Sequence, residues 1–165
     1  MYNQNQINES LHQQRGLIKY SNPSEVLAQL NTGQLLMVDR RRRNGLIIIK
    51  RFHAEFAGPG AAVGGLFDLG CQRTIPVGDL CLVYPETYEE KKKAYETRQH
   101  WIRVTEDLTG TPAPLQRAQS ILTQFEMYFD FDTVNKLPDE AFARLVGVMP
   151  QTIKMVRRMP EMVMA

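Results

Sequence analysis

The chain has 165 residues, 43% hydrophobic and 23% charged, enough apolar material to bury the core of one compact domain or two small ones. A formal net charge of +2 makes a general attraction to polyanions weak, so any such partner must be held by a local basic patch. No apolar run approaches the ~20 residues that span a bilayer, and "MYNQNQINESLHQQRG" lacks the apolar core of a signal peptide; a soluble, cytoplasmic protein with no membrane partner is expected.

Residues 1–15 are rich in Gln and Asn and nearly free of large apolar groups, which predicts a flexible tail. "SNPSEVLAQLNTG" then predicts a short helix, with Ser and Asn before Pro23, Val26, Leu27 and Leu30 at helical spacing, and Gly33 at the stop. "QLLMVDRRRRNGLIIIKRF" predicts a hairpin: Leu35–Val38 and Leu46–Ile49 favour strands, and Asn44-Gly45 tolerates the positive φ of a tight turn. From His53 to Asp79, "AGPGAAVGG", "LFDLG" and "RTIPVGDLCLVYP" predict short strands with tight connections. Residues 16–84 are therefore expected to form a strand-rich domain.

Residues 85–108 carry the pattern of a polar connecting helix, with Tyr88, Tyr95 and Ile102 seven residues apart and "EEKKK" on the outer face. "TGTPAP" at 109–114 cannot continue a helix and marks the expected domain boundary. Beyond it, Leu115, Ala118, Leu122, Phe125 and Phe129 form an apolar stripe at steps of three and four. An acidic connection, "DFDTVNK", leads to a helix opened by Pro138, Asp139 and Glu140, and a third helix is expected from Pro150 to Met159. The expected fold class is α+β, with a strand-rich domain at 16–84, a connecting helix at 85–108 and a three-helix unit with a helix-turn-helix at 115–159.

Within "FARLVGVMPQTIKMVRR", Ala143, Gly147 and Ile153 are four and ten residues apart, and Phe142, Val146, Val148 and Val156 take the surrounding apolar places. A helix-turn-helix needs such a set: a small residue at the crossing, one able to adopt positive φ in the turn, and a branched apolar residue pointing back to the core. Residues Leu137–Arg158 thus resemble the bacterial helix-turn-helix DNA-binding families. The resemblance covers about 20 residues and implies a DNA-facing side on or near Met149, Pro150, Gln151, Thr152, Lys154, Met155 and Arg158. It gives Gln151 the reading of adenine, Thr152 and Lys154 the holding of phosphates, and Arg158 a guanine or the backbone, with Arg157 and Arg144 as further phosphate contacts.

The densest positive run is Arg40-Arg41-Arg42-Arg43, backed by Lys50 and Arg51. Each phosphate it neutralised would steepen the dependence of log affinity on log salt by ~0.9; as a plain solvated tip it would only discourage edge pairing. The glycines at 58, 60, 64 and 65 lack the Lys-Ser/Thr ending of a phosphate-binding loop and are read as a turning loop. His12, His53 and His100 have no metal-ligand spacing, and no nucleophile motif is present, although His53, Asp68 and Asp79 are free to meet in space. Trp101, beside His100 and Arg103, is read as a packing anchor before a base-stacking residue. Cys71 and Cys81 suit free thiols in a reducing compartment, with a disulfide left open.

The leading expectation is a non-enzymatic, cofactor-free transcriptional regulator that binds double-stranded DNA as a homodimer, with the 86–108 helix as one dimer surface. The alternative is an adaptor whose helical unit, rich in Met149, Met155, Met159, Met162 and Met164, binds another protein.

Overall fold

The β-favouring runs become strands, but they pair differently from the expected hairpin. A computed structural model describes residues 18–19 and 22–159 of the chain; the expected tail at 1–15 and the methionines at 162 and 164 lie outside these residues. The first half contains β1 (Ile18–Lys19), α1 (Pro23–Leu30), β2 (Leu35–Val38), β3 (Gly45–Ile49), β4 (Ala54–Ala57), β5 (Ala62–Gly64), a 3-10 turn (Leu66–Asp68), β6 (Arg73–Val77) and β7 (Cys81–Val83). The second contains α2 (Tyr88–Thr109), α3 (Pro114–Tyr128), α4 (Phe131–Lys136), α5 (Asp139–Val146) and α6 (Pro150–Arg157). The fold is α+β, with one sheet of order β1-β7-β2-β5 and another of order β4-β3-β6, every ladder among the described residues being antiparallel.

β2 and β3 belong to different sheets, which corrects the hairpin. β2 pairs with β5 and β7, Leu36 facing Val63 and Val38 facing Leu82. β3 pairs with β4 and β6, Ile47 facing Phe56 on one side and Ile75 on the other. Asn44 is not a positive-φ turn residue; it is buried, and its amide donates to the carbonyls of Asp39 and Arg42, both at 3.0 Å, while its Oδ1 accepts from Cys81 N at 3.0 Å. Gly45 is required by packing, since a Cβ there would stand 2.6 Å from the Phe56 ring. Arg40–Arg43 therefore form a braced crossover between sheets.

The helix at 23–30 forms as its sequence dictates: the Asn22 side chain accepts from Ser24 N at 2.9 Å, Pro23 opens the first turn, and Val26 and Leu30 bury. α2 lies against β4 and β5 through Ala94, Arg98, Trp101 and Thr105, at steps of four, three and four. The stripe expected from the seven-residue repeat points elsewhere, for Tyr88 and Tyr95 are exposed and Ile102 only half-buried. Gly58 lets the helix approach closely, because any Cβ there would overlap the Trp101 indole. Trp101 is buried as a packing anchor, edge-on to Phe56 at 5.3 Å and to Tyr128 at 5.0 Å.

Arg98 is the charged member of that face and is 2% exposed. Its guanidinium donates to both Asp68 carboxylate oxygens at 3.0 Å, to Glu55 Oε2 at 2.6 Å and to the Ala62 carbonyl at 2.9 Å. Asp68 Oδ2 also accepts from Gly64 N at 2.8 Å, and Lys50 Nζ stands 3.0 Å from Glu55 and 3.4 Å from Asp68. The Gly-rich segment is thus part of a fixed ionic joint between strands and helix. Burial opposes the charge on Glu55, but the Arg98 guanidinium and the Lys50 ammonium outweigh it and hold the carboxyl at about 2.

The break at 109–114 separates α2 from α3, yet the apolar core is continuous across it. Phe56 of β4 contacts Phe125 of α3 at 4.8 Å, and Phe125 contacts Phe142 of α5 at 5.0 Å. The acidic connection expected at 130–136 is itself helical, because Asp130 caps α4 by accepting from Thr133 N at 2.8 Å. The C-terminal unit consequently has one short helix more than expected.

Two outcomes follow for stability. Arg98→Ala removes the bidentate partner of buried Asp68, leaving it Lys50 at 3.4 Å and the Gly64 amide, and is expected to cost about 3 kcal/mol in urea unfolding. Glu55 has a folded pKa below its unfolded one, so its contribution is present above about pH 5 and is lost as the pH falls toward 2. Glu55→Gln should therefore be less stable than the wild type at pH 7, with the two curves converging in acid; a gap independent of pH would contradict the ionic origin.

Candidate nucleic-acid interface

The corner between α5 and α6 is built from its end residues. Asp139 and Glu140 occupy the positive end of α5, and the helix stops at Gly147, whose φ of 68° and ψ of 43° place it in the left-handed region. The Gly147 and Val148 amides both donate to the Ala143 carbonyl. α6 opens with Pro150 and has no side-chain cap from Met149. Ala143, Phe142, Val146, Ile153 and Val156 are buried, and Val148 is half-buried on the same core.

With Ile153 and Val156 turned inward, the outer side of α6 presents Gln151, Lys154, Met155 and Arg158, all exposed, and half-buried Thr152. Arg157 points the other way. Its guanidinium donates to the carbonyls of Leu137 at 2.8 Å and Val134 at 3.4 Å, stands 3.3 Å from Asp139 and lies over the Phe142 ring. It ties α6 to the α4–α5 connection. Arg144 pairs with Glu140 at 3.3 Å, and Glu140 also pairs with Arg73 of β6 at 3.3 Å, so the Arg144 charge is partly compensated.

The arginine crossover is shaped by Asp39, which is buried at its base. Arg41 bonds Asp39 through its backbone N at 3.1 Å and its Nε at 3.3 Å, and Arg42 Nε lies 3.6 Å from the same carboxylate. Arg42 and Arg43 line a cleft of about 660 Å³ together with Lys136 and Leu137 of the helical unit. Leu137 is also the residue whose carbonyl Arg157 holds. The fold therefore brings two of the four arginines to the α4–α5 connection, while no hydrogen bond or ion pair joins the run to α6 itself among the described residues.

Arg117 was not legible as a site residue, although it fixes the corner. It donates to the carbonyls of Val146 at 3.1 Å and Gly147 at 3.2 Å, and to Thr111 and Pro112 at 2.9 and 3.0 Å. These are helix-end and loop carbonyls that would otherwise lack donors. Its only sequence signal is a cation one turn inside a proline-opened helix, and that pattern has many other uses.

The other candidate constellation does not assemble. Asp68 is buried on Arg98, His53 lies 3.3 Å from Glu55, and Asp79 lines the cleft beside Arg42. Among the described residues there is no group of three or more His, Cys, Asp or Glu that could hold a metal ion, and no helix long and apolar enough to cross a membrane. Cys71 and Cys81 are free and buried, and burial raises the Cys71 thiol pKa. No family model, curated protein or solved structure matches the chain.

Arg157→Ala is expected to lower stability by about 1–3 kcal/mol, since it leaves the Leu137 carbonyl without its side-chain donor and Asp139 without its partner. Lys154→Ala, on the exposed side, should change it by less than about 0.5 kcal/mol. Gly147→Ala should cost about 1 kcal/mol through backbone conformation alone, because a Cβ there meets nothing within 4 Å. Thermal or urea melts of the three variants check this order, and equal costs for Arg157→Ala and Lys154→Ala would contradict it.

Proposed function

We propose that the protein is a non-enzymatic, DNA-binding transcriptional regulator of bacterial helix-turn-helix type, acting in the cytoplasm as a homodimer. The observation that carries this reading is the division of α6 into a core side, Ile153 and Val156, and an outer side bearing Gln151, Lys154 and Arg158. An exposed helix with an amide and two cations on one side has the donors and acceptors needed to enter a major groove: Gln151 to pair with adenine, Lys154 and Arg158 to meet phosphate or guanine. Thr152 adds a hydroxyl for phosphate. Arg157 supports this face from behind.

A single short helix gives little affinity, and two copies on paired half-sites supply the rest. The exposed tyrosines Tyr88 and Tyr95 on α2 suit the surface between copies.

One observation favours a protein-binding adaptor instead: Met149 and Met155, 66% and 55% exposed, stand at the same corner and form flexible apolar contacts for a partner side chain. Salt separates the two readings. Duplex affinity measured by fluorescence anisotropy should fall steeply with salt, and Lys154→Ala with Arg158→Ala should weaken it at least tenfold and flatten the log–log slope by about one for each cation removed. Duplex binding that ignores both substitutions, together with a salt-insensitive protein complex lost on Met155→Glu, would replace the regulator by the adaptor.

A further inference from the structure

The cleft beside the arginine crossover is not used by the α6 surface. It occupies about 660 Å³, within the ~300–1,000 Å³ common for small-molecule sites, and opens between the strand-rich half and α4. Three cations line it: Arg42 and Arg43 from the crossover and Lys136 from the end of α4. Arg42 is only loosely held, at 3.6 Å from Asp39, and neither Arg43 nor Lys136 has an ion-pair partner among the described residues. Ile75, Pro76 and Leu137 supply rigid apolar wall.

Two acids share the cleft. Asp130 caps α4 through Oδ1, accepting from Thr133 N at 2.8 Å, and keeps its charge and a second oxygen, while Asp79 has no hydrogen-bond or ion-pair partner among the described residues. This mixture decides between two sources of anion. A DNA backbone is a convex, continuous polyanion that would meet the carboxylates as well as the cations. A compact molecule can set its phosphate against Arg42, Arg43 and Lys136, lay an apolar ring on Ile75 and Pro76, and turn a hydroxyl toward Asp79.

We infer that this cleft is a binding site for a small phosphate-bearing molecule with a ring and hydroxyl groups, of the nucleotide class. The assignment withdraws Arg42 and Arg43 from DNA contact and stands whether or not α6 meets DNA. It also explains why the crossover is braced by a buried Asp39 and Asn44, for paired cations bind a phosphate better when their backbone is fixed beforehand.

Calorimetric titration of the full chain with adenosine monophosphate, pyrophosphate and adenosine tests it. The expected result is saturable binding of both phosphates, none of adenosine, and at least tenfold weaker binding in the Arg43→Gln, Lys136→Gln double variant. No binding of either phosphate, or binding unchanged in a folded double variant, overturns the inference. A duplex that binds through Arg43 and Lys136 while adenosine monophosphate does not would assign the cleft to DNA and overturn it equally. If the double variant does not fold, photolabelling of the wild type with 8-azido-adenosine monophosphate decides: label on peptides containing residues 42–43, 75–79 or 133–137 supports the site, and label elsewhere overturns it.

Discussion

The seat of α2 on the sheets is fixed by one buried ionic joint. Arg98 of α2 reaches through an otherwise apolar face to meet Asp68 and Glu55, and without those partners its charge would be prohibitive at 2% exposure. A joint of this kind is weak evidence for overall stability, since an apolar replacement of similar volume often does as well. It is strong in fixing geometry, because a slide of the helix by one turn would leave the buried Arg98 charge unpaired and Asp68 and Glu55 with Lys50 as their one shared cation. It thereby sets Trp101 on Phe56, and from Phe56 the aromatic contacts run through Phe125 to Phe142 at the heart of the C-terminal unit. The orientation of α6 is downstream of that chain of contacts.

A second set of arginines works on backbone ends. Arg117 gathers the carbonyls at the end of α5 and in the 111–112 loop, and Arg157 gathers those around the α4–α5 connection. Both satisfy acceptors that short helices leave open, which matters where α5 and α6 are eight residues each and cannot rely on length for stability. The cations left facing outward on α6, Lys154 and Arg158, are therefore a selected remainder of a larger basic set. Counting positive charges along "KMVRR" overstates what that helix offers to a ligand.

Local signals in the sequence were reliable where the physics is local. The stripe of Leu115 to Phe129, the Asn22 and Pro23 start, and the Ala143, Gly147, Ile153 spacing each report helix geometry within a turn or two, and each element is present in the fold. The hairpin at Asn44-Gly45 misled because the same dipeptide serves a different purpose: Asn44 braces a crossover and Gly45 clears Phe56. Its flanks already hinted at this, since Leu46–Ile49 is a continuous apolar run buried on both faces, unlike the alternation of a two-stranded ribbon. The heptad of tyrosines on α2 misled for a related reason, the true buried face including an arginine that hydrophobic periodicity cannot see. The cleft at Arg42, Arg43 and Lys136 joins residues more than 90 positions apart, and nothing in a single sequence announces such a meeting.

The claim that organises the functional reading is that the outer side of α6 is the surface that meets nucleic acid. Nuclear magnetic resonance titration of the labelled chain with a mixed-sequence duplex tests it residue by residue and needs no variant. The account predicts that the largest amide shifts fall on Gln151, Thr152, Lys154, Met155 and Arg158, with Ile153 and Val156 moving little. Shifts confined to α2 or to the sheets, or no shift at low salt, would contradict it.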